Sequence, residues 1–227
     1  MPAKDGKRTG VLACPMDDPL TSLPATARRI LQAATDLLAE RGYEAVTLEN
    51  VAAEAGVNKA SIRYNFGNKA GLIGAVADAL IHDECLRIAA DTKGVPKEER
   101  LSVAMDGIRR MVVDADSFRG FFDILPHAFR DPELRARLWN LYLWWYRQNL
   151  EWLGLGEDSY AEGSDMLMGM AELIAAIPDG LSVQLGLNPD GYDPARPLAA
   201  LELLLRNSME QLLRLAEERR AAAARSA

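Results

Sequence analysis

The stretch RRILQAATDLLAERGYEAVTLENVAAEAGVNKASIRYNFGNKAGL, Arg28 to Leu72, holds three short segments with helical spacing, each closed by a glycine. Ile30, Ala33, Ala34, Leu37 and Leu38 fall at i, i+3, i+4, i+7 and i+8, one face of a helix that Gly42 ends. Leu48, Val51, Ala52 and Ala55 form a second stripe, opened by Thr47 as N-cap and stopped by Gly56. A third helix is expected from Lys59 to about Asn65, capped by Asn58 and followed by Gly67. Helices this short need partners, so the three are expected to pack on one another.

Two short helices joined by Gly56-Val57-Asn58 match the helix-turn-helix arrangement, whose second helix enters the DNA major groove N-terminus first. Ala52 and Ala53 permit close approach, Gly56 can take positive φ, and Val57, Ile62 and Phe66 can pin the second helix to the core. Asn58, Lys59, Ser61, Arg63, Tyr64 and Asn65 then remain exposed, hydrogen-bonding groups suited to phosphates and base edges. The dipole of their helix favours an anion at its start.

Outward from this stretch the pattern stays helical. A fourth helix starts near Asn68 and carries Leu72, Ala75, Val76, Ala79 and Leu80 to the turn from Thr92 to Pro96. Leu101, Ala104, Met105, Ile108, Met111, Val112 and Ala115 make the cleanest amphipathic stripe. An aromatic stretch with Phe118, Phe121, Phe122 and Phe129 is interrupted by Pro126. Asp131-Pro132-Glu133 opens a long helix that Gly154 and Gly156 end, and two more follow over roughly 160 to 186 and 194 to 220. With no alternating period of two and no long repeat, the expected fold is all-α with about nine helices. Residues 1 to 23 read as a disordered arm.

The net charge of −7 argues at first against a polyanionic partner, but the average hides a division. Residues 1 to 70 carry 9 Lys and Arg against 8 Asp and Glu, which leaves 17 against 25 for the remainder. Between Glu54 and Asp78 there is no acid, only Lys59, Arg63 and Lys69. Two cysteines, Cys14 and Cys85, make no disulfide framework, and the first twenty residues lack the apolar run of a signal peptide. The most apolar stretch is taken to be Leu138 to Leu155, broken by Asn140, Arg147, Gln148, Asn149 and Glu151, so no membrane partner and a cytoplasmic location are expected.

On these residues the chain resembles TetR/AcrR-type transcriptional regulators. Arg29-Ile30-Leu31 with Ala33-Ala34, the Gly42-Tyr43 turn, Thr47, Ala52 with Gly56-Val57, and Phe66 with Lys69 all fall at that family's spacing. The resemblance implies a DNA-binding head over residues 24–84, with the helix-turn-helix proper at 47–66, and an effector-binding and dimerisation body over 85–227. It implies that Lys69 meets the phosphate backbone and that Arg28, Thr47, Asn58, Lys59, Ser61, Arg63, Tyr64 and Asn65 belong to the DNA interface. Where the family often ends this helix in a tyrosine, a variable residue and a histidine, this chain reads Arg63-Tyr64-Asn65, and Arg63 is open to a guanine edge or a phosphate.

More weakly, the segment around Asp179-Gly180-Leu181 and Gln184 is similar to the family's last two helices, which implies that Pro178 kinks the eighth helix rather than ending it. The resemblance further implies a homodimer through helices eight and nine and a small-molecule pocket enclosed by helices four to seven. Met166, Met170, Leu173, Leu201, Leu205 and Leu212 offer an apolar face for the former, or simply an internal core. For the latter, Trp139, Tyr142, Trp144, Trp145, Tyr146 and Trp152 crowd one helix, joined by Met105, Met111, Phe118 and Phe122; pocket wall and bulky core both fit. His127 is placed with that pocket. His82 and His127 have no ligand-spaced partners, so no metal and no cofactor are expected. No nucleophile elbow or phosphate loop is present, so an enzyme is not expected. The expected function is a regulator, most often a repressor in this family, that leaves a pseudo-palindromic double-stranded operator when a small, largely apolar effector binds. A helical ligand-binding or adaptor protein that has lost DNA binding is the competing reading.

Overall fold

The structure is a computed structural model that describes residues 23–113, 115–155 and 165–226. The arm expected over 1–23 lies outside the described residues except for Leu23, as do Gly156 and the start expected for the eighth helix. Among the described residues there are nine α-helices and one 3-10 turn, and no strand. They are α1 (Ala25–Arg41), the turn Tyr43–Ala45, α2 (Leu48–Glu54), α3 (Lys59–Phe66), α4 (Lys69–Thr92), α5 (Lys97–Val113), α6 (Ala115–Ala128), α7 (Pro132–Trp152), α8 (Asp165–Leu187) and α9 (Ala195–Ser226).

Local chemistry accounts for most boundaries. Thr47 Oγ1 accepts the Asn50 N–H at 3.1 Å, Asn58 Oδ1 the Ser61 N–H at 2.8 Å, and Asn68 Oδ1 the Gly71 N–H at 2.8 Å, so three successive helices open on side-chain caps. Asp131 Oδ1 accepts from the N–H groups of Glu133 and Leu134 and opens α7, with Pro132 in its first turn. Gly56 takes φ 62° in the turn between α2 and α3, the left-handed conformation that costs glycine least.

Two features depart from expectation. Helix α6 continues through Pro126, which stands close enough to its end at Ala128 that the helix loses one N–H donor without breaking; Phe129 N–H still reaches Leu125 O at 3.2 Å. Pro178 also sits inside a helix, α8, and does not end it, in line with the expectation for that position. Among the described residues, the helix whose length and composition come nearest to a membrane span is α8, not Leu138–Leu155, although its inner face, Leu167, Met170, Ala171, Ile174, Ala175 and Leu181, is buried in the molecule.

The apolar stripes meet in one continuous cluster that runs from Ile30 in α1 to Ala216 in α9. Ile30, Ala34, Leu37 and Leu38 of α1, Val51 of α2 and Ile62 of α3 close around the start of α4, which carries Leu72, Ile73, Val76 and Ala77 inward. Helix α4 then passes into the body and packs against α5, α6 and α7. Helices α7 and α8 run antiparallel, fixed by Asn149 Nδ2 donating to Ala171 O and Tyr142 Oη donating to Asp179. Phe121 and Trp145, both buried, each contribute about 2–3 kcal/mol of burial to this core. Head and body thus share α4 and a core.

Candidate functional site

Helices α2 and α3 form a helix-turn-helix held from beneath by Ile62, which is fully buried, and by half-buried Val57 and Phe66. Its outer surface is less free than the sequence suggests. Asn58 spends its side-chain oxygen on the Ser61 N–H and the Ser61 hydroxyl, and Asn65 Nδ2 donates back to Ser61 O at 2.7 Å. Lys59 forms an ion pair with Glu49 of α2, and the Glu49 carboxyl is held below its usual range mainly by that hydrogen bond. The acid-free window of the sequence therefore has an acid beside it in space. Tyr64, 90% exposed, and Arg63, also exposed, project from α3, with the Arg63 charge adding to that of Lys59 in holding Glu49 down. Arg28 is exposed in the second turn of α1, and Thr47 is occupied as a cap.

Lys69 opens α4 with its ammonium 4.3 Å from the centre of the Tyr43 ring. The Tyr43 ring is stacked in turn on His127 of α6, with centroids 3.5 Å apart and planes 8° from parallel. His127 Nε2 lies 3.9 Å from Glu44 Oε1. The sequence reading put His127 with the effector pocket; in the structure its ring packs against the Tyr43–Ala45 turn. Burial, with the charges of Asp131 and Glu44, pushes the Tyr43 hydroxyl up. Nearby, Glu133 accepts from Asn68 Nδ2 at 2.9 Å, and Arg137 donates to Asp78 Oδ2 at 2.7 Å and to Gly71 O at 3.1 Å. Despite Arg137, burial leaves the Asp78 carboxyl above its usual range. The end of α6 and the first turns of α7 therefore grip the head at several points.

Further along α7 the aromatic residues gather around a carboxyl group. Tyr142 Oη donates to Asp179 Oδ2 at 2.6 Å, and its ring lies within about 6 Å of Phe121, Trp145 and Tyr146. Among the described residues, Asp179 Oδ1 is buried with no hydrogen-bond partner, as are Ser182 Oγ and Trp145 Nε1. Burial pushes the Asp179 carboxyl up to about 6 and raises the Tyr142 hydroxyl as well. Trp139, 54% exposed, brings the cluster to the surface beside Tyr146. Met105 and Met111 are buried, and Phe122 is half-buried and close to Phe121. The Phe118 side chain lies outside the described residues. A separate open groove of about 410 Å³ lies at α5 and α9, lined by Lys97, Leu101, Arg206, Met209 and Leu213 among others. No three His, Cys, Asp or Glu among the described residues gather to hold a metal.

Of the apolar residues expected on the last two helices, Met170 and Leu205 point into the chain's own core, and Met166, Leu201 and Leu212 are half-buried. Leu173 is 66% exposed. Val183, Leu187, Leu203 and Leu204 are exposed too, and sequence reasoning missed them. The run Leu203-Leu204-Leu205 has no period to say which leucine faces inward.

Residues 30–76 match the family model for bacterial regulatory proteins, tetR family, and residues 96–210 match that for the C-terminal part of BetI-type transcriptional repressors. A helix-turn-helix-type transcriptional repressor of Mycobacterium tuberculosis is 44% identical over 73 residues, 27% of this chain and 39% of that protein. The chain thus spans 39% of the length of that relative. The transcriptional regulator BetI of Brucella abortus is 25% identical over 181 residues, covering 79% of this chain and 89% of its own. A solved structure from Saccharomonospora viridis, in complex with choline, is similar in fold with a TM-score of 0.53 at 20% identity, covering 81% of this chain and 95% of that one. Two family models that follow one another along the chain, over a helix-turn-helix head and a helical body in the same order, make it a member of the tetR family of bacterial regulatory proteins.

Proposed function

We propose that the protein is a DNA-binding transcriptional regulator that works in the cytoplasm as a homodimer and represses until a small effector releases it. The observation that carries this reading is the α2–α3 unit, with Ile62 turned inward and Lys59, Arg63 and Tyr64 exposed on its second helix. Two such helices about 34–36 Å apart would read a pseudo-palindrome. The head is assigned to 24–84 and the body to 85–227, with α4 crossing between them. The exposed leucines of α8 and α9, with Val183, supply the subunit interface.

Effector binding is assigned to the ring cluster around Tyr142 and Asp179. A buried carboxyl with no cation beside it and one unpartnered oxygen favours a small, largely apolar effector that carries a positive charge. The choline bound by the Saccharomonospora viridis relative is of that kind. A ligand releases DNA only by binding the released state more tightly.

The test is selection of duplexes from a random pool, followed by binding at about 50 and 200 mM salt, where specific affinity falls steeply with a slope that counts phosphates. Tetramethylammonium and larger organic cations are then screened for release of the selected duplex. A second reading, a ligand-binding protein without DNA, draws on Asn58, Ser61, Asn65 and Lys59 being engaged within the head. Indifference to every duplex at low salt decides for it.

A further inference from the structure

Lys69 stands where two effects would push it away. A cation is disfavoured at a helix N-terminus, and the first turn of α4 has no acid to offset it. The side chain is long and mobile, and the surface around the 3-10 turn carries Glu44, Asp123, Asp131 and Glu133, any of which would draw an ammonium off the DNA-facing side. Yet among the described residues Lys69 forms no ion pair and rests on the face of Tyr43 instead.

Tyr43 can serve as that platform only if its ring is fixed. It sits in a three-residue turn, half exposed, with one face given to Lys69. The opposite face is covered by the His127 imidazole, nearly parallel at 3.5 Å, and His127 also lies 3.9 Å from Glu44, the next residue of the same turn. The stack thus runs from α6 through the turn to the first residue of α4. We infer that His127 is a positioning residue for DNA binding: by backing the Tyr43 ring it holds the Lys69 ammonium clear of the neighbouring carboxylates and ready for a backbone phosphate. The inference rests on the reading of Lys69 as a phosphate contact. It gives α6, part of the effector body, a direct hold on a DNA contact.

The test has one arm without DNA and one with it. In protein labelled at lysine, the ε-methylene protons of Lys69 are shifted upfield by the Tyr43 ring. His127→Ala returns them toward the position of a free lysine, and His127→Phe, which keeps a flat ring, restores the shift. On the selected duplex, Lys69→Ala lowers the salt slope by about 0.9 per subunit. His127→Ala lowers it by nearly as much and weakens binding about three- to tenfold, the double variant is no worse than Lys69→Ala, and His127→Phe is near wild type. An unmoved Lys69 resonance in His127→Ala overturns the positioning role whatever the DNA does. A moved resonance with an unchanged slope in both single variants overturns the phosphate reading of Lys69, and the inference with it. Losses that multiply in the double variant mean that His127 acts independently of Lys69, which also overturns it.

Discussion

Asp179 is the residue whose chemistry has the sharpest consequence. Burial lifts its carboxyl from 3.8 to about 6, so the folded chain binds that proton more tightly than the unfolded one. The cost of the ionised group is absent below pH 3.8, grows through the interval, and is complete above about 6. Asp179→Asn keeps an acceptor for Tyr142 and removes the charge, so it raises stability by on the order of 2 kcal/mol at pH 8 and hardly at all near pH 4. Urea unfolding at the two pH values checks this, and an equal gain at both would mean that the carboxyl is solvated. The same variant loses the response to organic cations. On the proposed reading, Lys69→Ala weakens all duplexes alike; Arg63→Ala relaxes one base position in each half-site by about 1–3 kcal/mol if Arg63 reads a guanine edge, and acts like Lys69→Ala if it grips a phosphate. Affinities for a set of single-base variants of the selected site separate the two.

Among the elements, α3 depends on its cap. Asn58→Ala removes the acceptor of the Ser61 N–H and costs about 1 kcal/mol of stability, while Asn58→Ser retains most of it. Thermal unfolding of both variants tests this, and DNA affinity falls with the cap because the first turn of α3 carries Lys59. Helices α4 and α5 approach closely at Gly107, where a Cβ would overlap the buried Ile88 side chain. Gly107→Ala therefore destabilises by about 1–3 kcal/mol even though alanine is the better helix former. A stability equal to wild type in urea would show that Ile88 has room to move.

At the scale of the whole molecule, the outer faces of α8 and α9 expose Leu173, Leu187, Leu203 and Leu204. On the proposal that these faces pair two subunits, two charges placed there, Leu187→Glu with Leu204→Glu, leave the core untouched and yield a monomer by sedimentation. Affinity for a selected duplex then falls with it, since each proposed half-site is bound alone. A double variant that still sediments as a dimer would move the subunit interface elsewhere.

The capped starts of α2, α3, α4 and α7, the head's three-helix order and the inward role of Ile62 are written in the sequence, because caps, glycines and a period of 3.6 act between residues at most a few positions apart. Other features depend on groups distant along the chain. The pairing of Glu49 with Lys59 follows from the crossing of α2 on α3, and the place of His127 under Tyr43 from the end of α6 meeting the turn after α1. Which leucines of α9 face outward depends on α5 and α8. Proximity of this kind comes from packing a continuous core, in which each helix's rotation answers to all its neighbours, and no local spacing encodes it.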